Sequence, residues 1–290
     1  MTRALILRSL LFVPADSPAK LAKSKQVPAD ALVLDLEDAV TDDQKPAARS
    51  LTKAFLGERS ALAQVVLVRF NPAGGPYFDH DCEAIRECLP DGIVLSKCRT
   101  AEDVLHLQSF LDRADPDGGC RIYPLIESPL GLLNAYAIAS TSPRVAGLAF
   151  GAEDYSSEAG IHRTAEEIEL LYARSALVTA SRAAGCEAID SPWLETTNIQ
   201  RVRSAALQAR NLGFSGKLAI HPAQVPALNE TFSPSASEVE EACTIIAAYS
   251  ASGKGVLAMA GRMVDEAIVQ KARRTLSLAE AIHRSSESNC

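Results

Sequence analysis

The chain has 290 residues, 47% hydrophobic and 22% charged, with 16 glycines and 15 prolines, which excludes collagen-like, low-complexity and wholly disordered architectures. A formal net charge of −7 is a poor match to a phosphate backbone, so no nucleic-acid partner is expected. No run approaches the roughly 20 apolar residues that span a bilayer, and the seven cysteines are odd in number and form no CxxC pair, so a cytoplasmic protein with reduced thiols and no membrane partner is expected.

In chain order, short runs mostly rich in Val, Ile and Leu fall at 10–13, 31–36, 65–70, 92–96, 121–126, 146–150, 187–189 and 217–220. Continuous rather than alternating apolar strands suit a parallel sheet covered on both faces, and starts spaced roughly 20 to 40 residues apart are those of βα units. Helix signals lie between them. Thr100-Ala-Glu-Asp103 reads as a capping box for a helix to Arg113, and Ser128-Pro129 as an N-cap followed by a first-turn proline. Thr164-Ala-Glu-Glu167 reads as another box, with its helix stopping at Gly185, and the stretch from Asn198 to Gly213 repeats the pattern. Eight strands with intervening helices predict an α/β fold, a (β/α)8 TIM barrel over residues 1–232, with a doubly wound sheet as the competing arrangement.

Residues 233–290 predict a C-terminal helical appendage. Ser237-Glu-Val-Glu240 opens a helix to Gly253, an apolar run covers 255–260, and Val264, Ile268, Ala272, Leu276 and Ala279 recur at helical spacing in a final helix. The tail 285–290 is expected to fray. So small an appendage is expected to dock on the barrel or on a neighbouring subunit.

Barrel active sites lie at the C-terminal ends of the strands. There the runs lead in turn to Asp16; to Asp35, Glu37 and Asp38; to Arg69 and Asn71; to Lys97; to Glu127; to Glu153 and Asp154; to Asp190; and to His221. Glu127 and Asp154, with no Cys or His at ligand spacing, suit a hard oxygen-seeking ion such as Mg2+; a helix cap or surface salt bridge is the alternative for either. Arg69, inside an otherwise apolar strand, needs an anion, which an internal ion pair, a substrate carboxylate or a developing oxyanion would each provide. Three acids at 35, 37 and 38 repel one another unless cations or N–H groups intervene, so Asp35 or Glu37 is a candidate to orient Arg69 or Lys97. His221 reads as a packing or helix-start residue. Lys20, Lys23 and Lys25 are candidates for phosphates or for a solvated helix face, and no glycine-rich loop makes a nucleotide fingerprint.

Taken together, Ser9-Leu-Leu-Phe-Val-Pro-Ala15, Leu32-Val-Leu-Asp-Leu-Glu-Asp-Ala39, Val68-Arg-Phe-Asn71, Ile126-Glu-Ser-Pro129, Gly151-Ala-Glu-Asp154, Ala188-Ile-Asp190, Ala219-Ile-His-Pro222 and Gly261-Arg-Met-Val-Asp265 resemble the citrate lyase beta-subunit-like family, whose relatives include malyl-CoA and citramalyl-CoA lyases. The resemblance implies a Mg2+-dependent barrel enzyme that makes or breaks a carbon–carbon bond between an acyl thioester and a small 2-keto acid. It implies Glu127 and Asp154 as metal ligands, Arg69 and Glu127 as substrate-facing residues, and Asp265, with Arg69, as the catalytic groups. Glu37 and Asp38 are expected to support them from behind. The resemblance also implies a homo-oligomer, a trimer or a hexamer formed as a dimer of trimers, in which the appendage closes over a neighbouring subunit's site. The expected substrate is a 3-hydroxyacyl-CoA such as citramalyl-CoA or malyl-CoA, giving acetyl-CoA and pyruvate or glyoxylate. The alternatives are a citrate lyase beta subunit acting on a citryl group carried by an acyl-carrier protein, an aldolase for free hydroxy-keto acids, and a non-catalytic CoA- or keto-acid-binding protein.

Overall fold

The computed structural model describes residues 6–59, 62–252, 256–259 and 262–287. In chain order the first elements are β1 (Ser9–Pro14), α1 (Pro18–Ser24), β2 (Ala31–Asp35), α2 (Lys45–Gly57), β3 (Val65–Phe70), α3 (Phe78–Ile85), β4 (Gly92–Leu95), α4 (Ala101–Ala114), β5 (Arg121–Ile126), α5 (Pro129–Leu133), α6 (Ala135–Ser140), β6 (Gly147–Phe150), α7 (Ala152–Ala159), α8 (Leu171–Ala183), β7 (Glu187–Asp190), α9 (Ile199–Leu212), β8 (Gly216–Ala219) and α10 (Val225–Phe232). The strands β1 to β8 form a closed parallel barrel in sequence order, β1 pairing with both β2 and β8. The expected TIM barrel is therefore present, and the doubly wound alternative is not.

Leu10, Ala31, Val33, Leu67, Val94 and Leu125 belong to one buried cluster inside the barrel. Each fully buried Leu or Val side chain among them stabilises the fold by about 1.5–3 kcal/mol. Side chains alternate in direction along a strand, so two positions beyond Val33, Leu67 and Leu125 the same inward face carries Asp35, Arg69 and Glu127. Closure between β8 and β1 depends on Gly216, because a Cβ there would lie 1.7 Å from the Leu7 carbonyl oxygen.

The helix signals are mostly where the sequence places them. The Thr100/Asp103 capping box opens α4, Ser128 Oγ accepts the Gly131 N–H at 3.0 Å to open α5, and α9 runs from an Asn198 cap to Gly213 at φ 104°. The box expected at Thr164 is not formed. The Glu169 carboxylate takes both the Thr164 N–H at 2.6 Å and its hydroxyl at 2.9 Å. Glu167 instead sits buried at φ 51°, paired with Arg163, and the helix starts beyond it through a 3-10 turn at Ile168–Leu170.

The barrel unit spans Leu7–Asn229, and a second compact unit begins at Glu230. The latter contains α11 (Ala236–Ser252), an antiparallel hairpin of β9 (Val256–Met259) and β10 (Arg262–Asp265), and α12 (Glu266–Glu287). Ala242, Ile245, Val264, Val269 and Ala272 form its own buried cluster. The box that opens α11 is Ser235 with Glu238, each side chain bonding the other's backbone N–H, and not Ser237 with Glu240. Val264 lies in β10 rather than in the final helix; its apolar side chain joins the same cluster by way of a strand. Gly253, Gly255, Ala260, Gly261 and 288–290 lie outside the described residues. No described helix is long and apolar enough to cross a membrane, and the described cysteines are all unpaired.

Candidate active site

Asp35 and Arg69 are register partners at the ends of β2 and β3. Arg69 Nε donates to Asp35 Oδ1 at 2.7 Å and Nη2 to Oδ2 at 2.5 Å, a bidentate pair in which Asp35 is 1% exposed. Nη1 lies 3.0 Å from Glu37 Oε2 and 3.6 Å from Asp38 Oδ2. The guanidinium also rests over the Phe12 ring, 4.8 Å from its centroid. Burial works against the Arg69 charge, but Asp35, then Glu37 and Asp38, raise its pKa further. The internal ion pair is thus real. Of the five N–H donors of a guanidinium, hydrogen bonds to protein take only Nε–H and one on Nη2. Nη1 is engaged by Glu37 and Asp38 as an ion pair, which leaves the second N–H on Nη2 free for an oxyanion and Nη1 to be shared with one.

The loop carrying Glu37 and Asp38 is held from below by a buried lysine. Lys45, in the first turn of α2, donates from Nζ to the Leu36 carbonyl at 2.9 Å, the Glu37 carbonyl at 3.0 Å and Asn71 Oδ1 at 3.0 Å. Asn71 in turn donates to the buried Asp81 at 2.7 Å. From the next strand end, Lys97 Nζ reaches Glu37 Oε1 at 2.6 Å and Asp38 Oδ1 at 3.3 Å. Glu37 therefore lies between two cations. Burial raises its pKa, as does the hydrogen bond with Asp38, while Arg69 and Lys97 oppose the shift.

Glu127 follows β5, is 4% exposed, and accepts the Lys97 backbone N–H on Oε1 at 2.5 Å. Burial pushes its pKa up to about 8, with the charges of Asp154 and Glu37 adding to the rise and the Lys97 N–H and Arg69 opposing it. Asp154 stands in the first turn of α7 and makes no described hydrogen bond or ion pair through its carboxylate. Gly151, between β6 and α7, makes room for this arrangement: a Cβ there would lie 2.5 Å from Glu127 Cβ and 2.6 Å from Oε2. Among the described residues no three carboxylate, imidazole or thiol groups converge as a ready-made chelate. A buried carboxylate facing a second one, short of compensating cations, fits an ion that takes few protein oxygens and keeps positions for water or substrate, as Mg2+ does.

Of the remaining expected site residues, Asp190 and His221 are held in structural contacts. Asp190 faces away from the barrel interior, since its neighbour Ile189 is in the interior cluster. It accepts from Arg174 Nε at 3.1 Å and Nη2 at 2.9 Å and pairs with the buried Lys217, a structural network rather than part of the rim. His221 Nδ1 accepts the Ala223 N–H at 3.2 Å, capping a 3-10 turn. Lys25 pairs with Glu58, whereas Lys20 and Lys23 stand exposed on α1. Asp265 belongs to the second unit, where it ends β10 and its Oδ1 caps α12 by accepting the Ile268 N–H at 3.1 Å. Lys45 and Gly151 are positions whose part in the site the sequence marks only weakly. The available signals were a lysine preceding a first-turn proline in a polar segment, and a glycine between an apolar strand and an acidic helix start.

The sequence model of a family described as HpcH/HpaI aldolase/citrate lyase matches residues 8–222. The citrate lyase subunit beta of Leuconostoc mesenteroides subsp. cremoris is 34% identical over 284 residues, 95% of this chain and 94% of its own length. A (3S)-malyl-CoA thioesterase of Cereibacter sphaeroides is 33% identical over 278 residues, 95% of each chain. The crystal structure of CitE from Mycobacterium tuberculosis in complex with magnesium, acetoacetate and coenzyme A superposes with a TM-score of 0.81 at 29% identity, covering 96% of this chain and 99% of that one.

Proposed function

The chain belongs to the HpcH/HpaI aldolase/citrate lyase family, and we propose that it is a magnesium-dependent lyase that splits a 3-hydroxyacyl-CoA, such as citramalyl-CoA or malyl-CoA, into acetyl-CoA and pyruvate or glyoxylate. The observation that carries this reading is the meeting, at one barrel mouth, of a guanidinium with donors to spare and a buried carboxylate that feels a second carboxylate. The relatives support a thioester and a keto acid: one is named for malyl-CoA, and a solved neighbour holds magnesium, acetoacetate and coenzyme A.

Magnesium, held by Glu127 and Asp154, would supply Lewis-acid polarisation of the substrate's hydroxyl or keto oxygen. The chain's own residues do the rest. Arg69, clamped by Asp35 on one edge, offers its remaining N–H groups to the keto acid's carboxylate or to the thioester oxygen as that oxygen gains charge. In cleavage the hydroxyl's proton passes to water, the carbon–carbon bond breaks to leave the keto acid's carbonyl, and the electron pair passes to the thioester as an enolate. Asp265 then gives a proton to the enolate's terminal carbon, completing acetyl-CoA, and removes it in the condensation direction. The exposed Lys20 and Lys23 meet the CoA phosphates. The protein acts as a homo-oligomer, a trimer or a dimer of trimers.

A panel of malyl-, citramalyl- and citryl-thioesters, carried by CoA or by acyl-carrier protein and assayed with and without Mg2+, tests the reading by the keto acid released. Release of pyruvate or glyoxylate from CoA esters supports it. Activity only on citryl groups of a carrier protein favours the second reading, a citrate lyase beta subunit, which the 34% identity to such a subunit supports. Asp265→Ala is expected to lose turnover and keep Mg2+ binding; full activity would reject that role.

A further inference from the structure

Lys97 has a backbone that none of the roles above requires. Its φ is 50°, which only Glu167 shares in kind among the described non-glycine residues. A side chain in the left-handed region is sterically disfavoured and persists where its surroundings hold it, so the conformation itself points to a task.

The turn sends the two parts of Lys97 to different partners. Its N–H donates to Glu127 Oε1 at 2.5 Å, while its ammonium lies 2.6 Å from Glu37 Oε1 and 3.3 Å from Asp38 Oδ1. Glu37 presents its other oxygen, Oε2, to Arg69 Nη1 at 3.0 Å. A carboxylate is planar, so fixing one of its oxygens fixes where the other points. Continuous contacts thus run from Glu127 through Lys97 and Glu37 to Arg69.

We propose that Lys97 is a positioning residue: by holding Glu37 Oε1 it keeps Oε2 against Arg69, and so sets the direction in which the guanidinium meets the keto acid. This rests on the reading of Arg69 as the group that binds substrate. Asp35 clamps the Nε–Nη2 edge of the guanidinium and Glu37 holds Nη1 on the opposite side, so the group is restrained at both ends and small rotations of the substrate-facing N–H groups are resisted.

Three variants of the full-length protein separate backbone from ammonium: Lys97→Gly, Lys97→Ala and Lys97→Arg. Glycine relieves the strained φ and alanine keeps it, so Lys97→Gly is expected to melt about 2–4 °C above Lys97→Ala. Both lack the ammonium. Both are expected to lose about tenfold or more in pyruvate affinity, measured calorimetrically with Mg2+ present, and in keto-acid release, with Lys97→Arg recovering part of each. Mn2+ affinity in Lys97→Gly is expected to stay within about twofold of wild type, because glycine retains the N–H that Glu127 accepts. Wild-type pyruvate affinity in Lys97→Gly, or losses that rank with melting temperature, would overturn the proposal; so would Mn2+ affinity that falls in step with pyruvate affinity. A wild-type protein that binds Mg2+ and pyruvate but cleaves no thioester rejects the lyase reading alone, and pyruvate binding by the variants still decides the role of Lys97.

Discussion

Arg69 and Asp35 face each other in register on adjacent strands and meet through two hydrogen bonds of 2.7 and 2.5 Å. The pair is buried, so neither charge can be removed alone without stranding the other. Arg69→Ala and Asp35→Ala are each expected to lower unfolding free energy by about 3–5 kcal/mol in urea titrations. Arg69→Lys keeps the charge but not the planar fork. It is expected to fold and to lose about a hundredfold in kcat/KM; unaltered turnover would contradict the substrate role of the guanidinium.

Glu127→Gln separates metal binding from stability. The amide oxygen still accepts the Lys97 N–H, while a carboxyl whose ionisation burial and Asp154 both disfavour is replaced by a neutral group of the same shape. The metal-free variant is expected to melt no lower than wild type, and Mg2+ is expected to raise the melting temperature of wild type only. A shift of equal size in both proteins would remove Glu127 from the metal site.

Gly151→Ala tests the close approach of β6 and β5. The added methyl would stand 2.5 Å from Glu127 Cβ and must displace it. Overpacking of this kind costs about 1–3 kcal/mol, and Mg2+ affinity measured by calorimetry is expected to fall with it. Unchanged affinity would show that Glu127 need not sit against this glycine.

Asp190 predicts a pH dependence. Its carboxyl is fully buried, which opposes ionisation, yet Lys217 and Arg174 hold its pKa below the usual value. A depressed folded-state pKa gives stability that is present above the unfolded value of about 3.9 and is lost as pH falls through the folded one. Urea titrations between pH 5 and pH 2 are expected to show this acid loss in wild type, and a smaller slope in Asp190→Asn, which starts about 3–5 kcal/mol less stable. Equal slopes would assign the acid sensitivity to other groups.

The barrel was legible because strands buried on both faces must be apolar throughout, so the polar residue that ends each run stands out. Asp35, Arg69 and Glu127 were found in that way, and strand alternation explains why they share the inward face. Alternation also accounts for Asp190, one position out of phase and turned toward the helices. What escaped depends on contacts between distant segments. The left-handed turn at Lys97 and the bare backbone at Gly151 acquire meaning only where β4, β5 and β6 meet around Glu127. Thr164 carries the pattern of a cap, but Arg163 and Arg174 draw Glu167 away from it. Val264 has helical spacing from Ile268, yet a hairpin delivers it to the same cluster.

The central claim is that Glu127 and Asp154 grip one divalent ion beside Arg69. Anomalous diffraction from crystals grown with Mn2+ and pyruvate tests it most directly. A peak is expected within about 2.0–2.3 Å of an oxygen from each carboxylate, with the pyruvate carboxylate or keto oxygen turned toward the ion and Arg69. A peak bound elsewhere, or none between the two carboxylates at saturating Mn2+, would contradict it.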